Sequence, residues 1–295
     1  MKKKVGLVLG GGGAKGAYQI GVYKALKEQG LVDDIQAISG TSIGALNLAL
    51  LALKEVEKAE DIWINLTKRK VLTLKKIKEY LDFKNFSVLS RKGMLDIFSS
   101  DIDFKKVSKC RLPLYACATN VDDNIGETFK LNGRKEEEII KILSASSAIP
   151  TVFENVIIKG KRYADGYLYR NVPIESLIEN EGCNYFYVIP LSSTLAPKEG
   201  DHPSSFIIDF NERKFFGLKL WDGTLSFGKK VAIERIELGY QNATLLINYL
   251  RKKGVIRTTK KEKFKYLFTR FSRKKKPIKN YYSLDDIDPI IKKPS

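Results

Sequence analysis

Short apolar runs, broken by glycine turns and by stretches of helical period, set the layout of this chain. Val5-Gly6-Leu7-Val8-Leu9 is a continuous apolar run, the pattern of a strand buried on both faces. It passes directly into Gly10 through Gly13, Ala14, Lys15 and Gly16, after which Tyr18, Val22 and Leu26 recur at helical spacing. A second strand is expected at Ile35 to Ser39, followed by Gly40-Thr41-Ser42-Ile43-Gly44 and an apolar helical segment from Ala45 to Leu53. Leu112 to Thr119 reads as another buried strand, turned back at Asn124-Ile125-Gly126 into Thr128 to Leu131. Glu136 to Ser147 has helical character and stops before Pro150, and Val156 to Ile158 with Lys159-Gly160-Lys161 gives a strand and turn leading to Asp165. Tyr185 to Leu191 supplies one more strand.

Strands alternating with helical stretches over about 190 residues predict an α/β domain, a three-layer α/β/α arrangement on a mainly parallel central sheet. This domain is assigned to residues 1–200, and residues 201–295 to a helical C-terminal extension. Within the extension, residues 204–250 are expected to be helix-like, most clearly Ser226 to Leu250. Between residues 54 and 109 aromatic and aliphatic positions such as Trp63, Leu66, Phe83 and Phe98 are interleaved with lysines. That pattern suits either packed connections or a mobile lid over a site.

Charge changes the picture at one end. The chain carries 52 Lys and Arg against 34 Asp and Glu, a net +18, with a surplus of 6 in residues 1–200 and 12 in residues 201–295. The segment 251–279 holds 14 basic residues and a single acid, Glu262. Inside it Phe264, Leu267, Phe268 and Phe271 fall at i, i+3, i+4 and i+7, an apolar stripe on an otherwise cationic helix. Such a helix fits an anionic membrane surface, and equally a helix docked on the domain with a solvated basic face. Clustered cations also attract nucleic acid, but no base-reading module accompanies them. Three cysteines, Cys110, Cys117 and Cys183, form neither a disulfide framework nor a metal-ligand cluster, so a reducing, cytoplasmic setting is expected. The apolar run after Met1-Lys2-Lys3-Lys4 is too short for a secretory signal, and no apolar stretch reaches the roughly 18 residues of a membrane span.

The glycine loop admits three chemistries. Gly11-x-Gly13-x-x-Gly16 matches a dinucleotide fingerprint, but the acidic residue that should close the second strand is replaced by Gly40-Thr41-Ser42. A phosphate-binding P-loop needs Lys followed by Ser or Thr at the end of the motif, and Ala17 follows Gly16. An oxyanion hole is the third, with N–H groups of Gly11, Gly12 and Gly13 joined by that of Ile43, the residue after a nucleophile. It alone also uses Ser42, which sits where a strand turns sharply into a helix, with Gly40 and Gly44 keeping the turn free of side chains. The same loop could serve a non-catalytic nucleotide- or lipid-binding module as an anion site.

A serine hydroxyl needs a base. His202 is the single histidine and lies in a polar, turn-like segment. Without it, a carboxylate must act, and it has to be desolvated and within hydrogen-bond reach. Asp165, at the tip of a strand, is the candidate.

Taken together, Gly11-Gly12-Gly13-Ala14-Lys15-Gly16, the Ser42 turn, Ala145-Ser146-Ser147-Ala148-Ile149-Pro150-Thr151-Val152-Phe153 and Asp165-Gly166 through Asn171-x-Pro173 resemble the patatin-like phospholipases in order and spacing, over about residues 5 to 195. The resemblance implies a Ser–Asp dyad acyl hydrolase that requires neither metal nor cofactor. Ser42 matches the nucleophile, Asp165 the dyad aspartate and Gly11 to Gly13 the oxyanion loop. Tyr167 stands where that family usually carries Gly or Ala. The substrate so implied is a phospholipid or lysophospholipid, with neutral or soluble esters as the alternative.

Overall fold

The computed structural model describes residues 2–66, 73–74, 89–90, 100–192, 194–211, 223–256 and 279–287. In chain order it contains β1 (Val5–Leu9), α1 (Ala17–Glu28), β2 (Ile35–Thr41), α2 (Ile43–Ala52), α3 (Val56–Asn65), the short pair β3 (Thr73–Leu74) and β4 (Leu89–Ser90), and α4 (Phe104–Ser108). There follow β5 (Leu114–Asn120), β6 (Ile125–Lys130), α5 (Glu136–Ser146), β7 (Val156–Ile158), β8 (Lys161–Asp165), α6 (Tyr167–Arg170), α7 (Ile174–Glu181), β9 (Tyr185–Ile189), β10 (Phe206–Asp209), α8 (Lys229–Lys252) and β11 (Tyr281–Ser283).

The main sheet runs β11-β10-β9-β1-β2-β5-β8-β7, with β6 also on β5. From β11 to β5 every pairing is parallel, and from β5 outward to β6, β8 and β7 every pairing is antiparallel. Alternation along the strands divides the sheet's side chains between two cores. Leu7, Leu9, Ile38, Tyr187 and Ile189 pack with α1, α2, α3 and α8 on one face. Val8, Ala37, Phe186, Val188 and Ile207 pack with α7 on the other. Helices on both faces of a largely parallel sheet are the arrangement that the continuous apolar runs foretold. All ten residues of α2 are buried, as expected of a helix that is apolar all round.

The C-terminal part departs from the sequence reading. Its long helix is present as α8, but residues 204–250 are not uniformly helix-like, because Phe206–Asp209 pairs in parallel with β9. Four residues, Phe-Ile-Ile-Asp, are too few to show a period, and their β-branched and aromatic side chains suit a strand. Tyr281–Ser283 then pairs with β10, so the sheet extends across the expected boundary at residue 200. Helix α8 lies against α1 at a pair of glycines: a Cβ on Gly21 would stand 1.8 Å from the Ile236 carbonyl oxygen, and one on Gly239 2.2 Å from that of Tyr18. The ends of the basic segment are tied to the domain. Arg251 is buried and donates to the Gln29 carbonyl at 2.8 Å, and Lys279 meets Asp286 at 2.6 Å. Phe264, Leu267, Phe268 and Phe271 lie outside the described residues, as does most of 67–99 within the stretch 54–109 considered for a lid. Trp63 and Leu66, from the start of that stretch, are core residues. Among the described residues no helix is long and apolar enough to cross a membrane.

Candidate active site

Two strand ends meet head-on along one edge of β5. The other edge of β5 is taken by β6 over its whole length, so β2 and β8 share the remaining one. Thr41, the last residue of β2, pairs with Cys117, and Asp165, the last residue of β8, pairs with Ala118. Because β2 runs parallel to β5 and β8 antiparallel, both chains leave the sheet at the same point. Ser42 and Asp165, 123 positions apart, thereby come into contact: the Ser42 hydroxyl donates to Asp165 Oδ2 at 2.6 Å.

Ser42 has φ 57° and ψ −125°, a strained conformation for a residue with a side chain. Glycines on either side let the backbone close tightly around it. A Cβ on Gly40 would lie 2.5 Å from the Gly44 carbonyl oxygen, and one on Gly44 would lie 2.2 Å from that of Leu9. The elbow glycines are thus required by backbone closely packed on backbone. Helix α2 starts at the next residue, so its N-terminal end is directed at the serine.

One short segment at the end of α5 fixes both partners. Ser146 Oγ accepts the Ser42 N–H at 2.9 Å and donates to the Cys117 carbonyl at 2.6 Å. The Ser146 carbonyl accepts from Gly166 N–H at 3.3 Å, and the Ala148 carbonyl from Asp165 N–H at 2.9 Å. Asp165 Oδ1 accepts the Tyr167 N–H at 2.9 Å. That contact comes from the backbone, so the larger side chain at position 167 leaves it intact. Asp165 is 1% exposed and Ser42 6%. Burial pushes the Asp165 carboxyl from its ordinary 3.8 up to about 7, while the hydrogen bonds from Ser42 and from Tyr167 N–H pull it back down.

The glycine loop is held by a buried polar network. Gln19 Nε2 donates to the Gly10 and Ile189 carbonyls at 2.8 and 3.0 Å. Asn47 Nδ2 donates to the Gly16 carbonyl and to Gln19 Oε1, both at 2.9 Å, and Asn47 Oδ1 accepts from Trp63 Nε1 at 2.9 Å. Such a satisfied network rigidifies the loop it supports. Of the four expected oxyanion donors, Gly11 is already engaged, its N–H donating to the Asn171 carbonyl at 3.2 Å. Among the described residues no backbone acceptor takes the N–H groups of Gly12, Gly13 or Ile43. Asn171, from the Asn-x-Pro block, also donates its side-chain amide to the Gly11 carbonyl at 3.5 Å.

Ser42, Asp165 and the three glycines line one cavity of about 280 Å³. Ile149, Leu191 and Leu195 give it apolar walls, Thr224 closes it over Gly13, and Lys15 is the cationic side chain among those lining it. Lys15 is buried, donates to the Leu191 carbonyl at 3.4 Å, and is held below its ordinary pKa by that burial and by the nearby Arg235. His202 is elsewhere, in a neighbouring groove where its Nε2 lies 3.7 Å from Glu175. The sequence reading assigned no role to Ser146, Gln19, Asn47 or Lys15. Ser146 lay within a segment quoted for its family resemblance, but periodicity carries no sign of a side chain that reaches across to another loop.

The family model described as patatin-like phospholipase matches residues 7–178, and the chain belongs to that family. Among curated relatives, lysophospholipase NTE1 of Saccharomyces cerevisiae is 28% identical over 222 residues, covering 70% of this chain and 12% of the yeast protein. Lysophospholipase nte1 of Aspergillus terreus is 64% identical over 50 residues, 17% of this chain and 3% of that protein. This chain therefore spans only a small part of the length of the curated relatives it matches. Among solved structures, VipD from Legionella pneumophila aligns over 84% of this chain and 67% of its own, at 14% identity and TM-score 0.43. Human GIVD cytosolic phospholipase A2 aligns over 89% of this chain and 45% of its own, at 11% identity and TM-score 0.39.

Proposed function

We propose that this chain is a lipid acyl hydrolase that cleaves carboxylic esters of phospholipids or lysophospholipids through a Ser42–Asp165 dyad. The observation that carries this reading is the 2.6 Å hydrogen bond from the Ser42 hydroxyl to a buried carboxylate, at the floor of a cavity lined by loop glycines, of which Gly12 and Gly13 have N–H groups taken by no backbone acceptor among the described residues. Ser42 Oγ attacks the ester carbonyl and its proton passes to Asp165 Oδ2. Negative charge then develops on the carbonyl oxygen, against the N–H groups of Gly12, Gly13 and Ile43 at the positive end of α2. The protonated Asp165 gives its proton to the departing alcohol oxygen, leaving an acyl-serine. Water enters, loses a proton to the same carboxylate, attacks the acyl carbonyl and releases the fatty acid as Ser42 recovers its hydrogen. A carboxyl titrating near 7 is suited to both halves of this cycle, since it takes and returns a proton at neutral pH.

The apolar walls fit an acyl chain, and Lys15 supplies a cation in the same cavity for a phosphate ester. The names of the NTE1 relatives point to lysophospholipids. We assign residues 251–279 to contact with an anionic lipid surface, making the chain a peripheral membrane protein on the cytoplasmic side. A panel of lysophospholipids, diacyl phospholipids and triglycerides tests the substrate class. Phospholipid and lysophospholipid cleavage by the parent chain and none by folded Ser42→Ala is the expected result. Cleavage confined to neutral or soluble esters would overturn the phospholipid reading, and activity retained in Ser42→Ala would overturn the dyad.

A further inference from the structure

Helix α6 is anomalous for a segment so close to a buried site. Its backbone is firmly fixed: Arg170 N–H donates to the Gly166 carbonyl at 2.8 Å, and Thr41 Oγ1 donates to the Arg170 carbonyl at 2.6 Å. Yet none of its residues is buried, and Tyr167, Leu168 and Tyr169 are 40, 47 and 45% exposed. Leu195, across the opening, is 47% exposed. These four are half of the large exposed apolar side chains among the described residues, and they gather in one place. Tyr167 and Leu195 line the Ser42 cavity, and with Leu168 and Tyr169 they also line the adjoining groove of about 490 Å³. Scattered exposed apolar residues are ordinary, whereas a cluster around a cavity mouth marks an interaction surface.

We propose that Tyr167, Leu168, Tyr169 and Leu195 form a collar that seats this chain on a lipid bilayer, with the mouth of the Ser42 cavity facing the lipid. The inference rests on the proposed hydrolase reading and names the surface that presents the site to its substrate. Three features select lipid as the occupant. The collar is continuous with the cavity that takes the acyl ester, since Tyr167 and Leu195 belong to both, so a lipid leaving the bilayer meets apolar side chains at the mouth above Ser42. Two of the four residues are tyrosines, whose apolar ring and polar tip suit the headgroup boundary. The chain's net charge of +18 complements an anionic membrane surface.

The test uses the full chain with Leu168→Asp, Tyr169→Asp, the double variant and a conservative Leu168→Met control. Sedimentation with phosphatidylcholine vesicles, with and without phosphatidylglycerol, reads binding. Hydrolysis of vesicle phospholipid and of a monomeric short-chain nitrophenyl ester reads activity, and thermal melting checks the fold. The collar predicts roughly tenfold weaker vesicle binding for each Asp variant, since a half-exposed apolar side chain is replaced by a charge that cannot enter the interface. Vesicle hydrolysis falls in parallel, on both vesicle types, while hydrolysis of the monomeric ester and the binding of Leu168→Met stay at the parent level. Unchanged vesicle binding in the double variant overturns the collar. A parent that binds vesicles through the collar but hydrolyses neither substrate leaves the collar standing and defeats the hydrolase reading instead.

Discussion

The floor and the rim of the Ser42 cavity are built on opposite principles, although only one residue, Gly166, separates Asp165 from Tyr167. At the floor, Ser42 and Asp165 are almost fully buried, and backbone or side-chain partners take both carboxylate oxygens and the Ser42 N–H. At the rim, α6 has its backbone tied down but presents large apolar side chains to the outside. Desolvation is useful in one place and unsatisfied in the other. Burial raises the Asp165 carboxyl to about 7, as the proposed base requires, whereas exposed apolar surface is stabilised only when something external covers it. The contrast separates chemistry from access, and each side can be broken on its own.

The largest effect is expected at the floor. Asp165→Asn should lower kcat/KM by about 10⁴-fold, because an amide cannot accept the serine proton. The same substitution carries a second, opposite signature in stability. The folded carboxyl titrates near 7 against an ordinary 3.8, so between these values the folded state holds a proton that the unfolded chain has lost. Stability therefore falls as pH rises through this window, by on the order of 4 kcal/mol for a fully buried group. Asp165→Asn removes that cost, so its melting temperature should exceed the parent's at pH 8 and the advantage should shrink toward pH 4. A difference independent of pH would show that the carboxyl is not held protonated by the fold.

Next comes the segment that registers both partners. Ser146→Ala leaves the Ser42 N–H buried without its acceptor, a loss of about 1–3 kcal/mol, and should reduce kcat by roughly tenfold with little change in KM. Ser146→Thr, which retains a hydroxyl, should recover most of the rate. Equal losses in the two variants would assign the effect to packing. Smaller still, His202→Ala should leave kcat/KM within about twofold of the parent, since its neighbour is Glu175 and not Ser42. A fall of several orders of magnitude would return histidine to the mechanism.

Much of this was legible beforehand, for identifiable reasons. Strands β1, β2 and β5 announce themselves as apolar runs because both faces are covered, and the Ser42 elbow declares itself through glycines that backbone crowding requires. β10 and β11 were missed because strands of four and three residues have no measurable period, and their partners are distant in sequence. The meeting of Ser42 with Asp165 was inferred from scarcity of histidine and from resemblance, but its cause, two strands ending on one edge of β5, is a property of topology that no local pattern contains. Engagement of Gly11 by Asn171, and the grip of Ser146 on the elbow, are likewise contacts across more than a hundred residues.

The central claim, that Asp165 activates Ser42, is tested most directly by the pH dependence of fluorophosphonate labelling, with the adduct mapped by mass spectrometry. The dyad predicts a single adduct on Ser42 whose rate of formation rises through about pH 7 in the parent and is lost in folded Asp165→Asn. Labelling on another residue, or Ser42 labelling that is undiminished in Asp165→Asn, would contradict it.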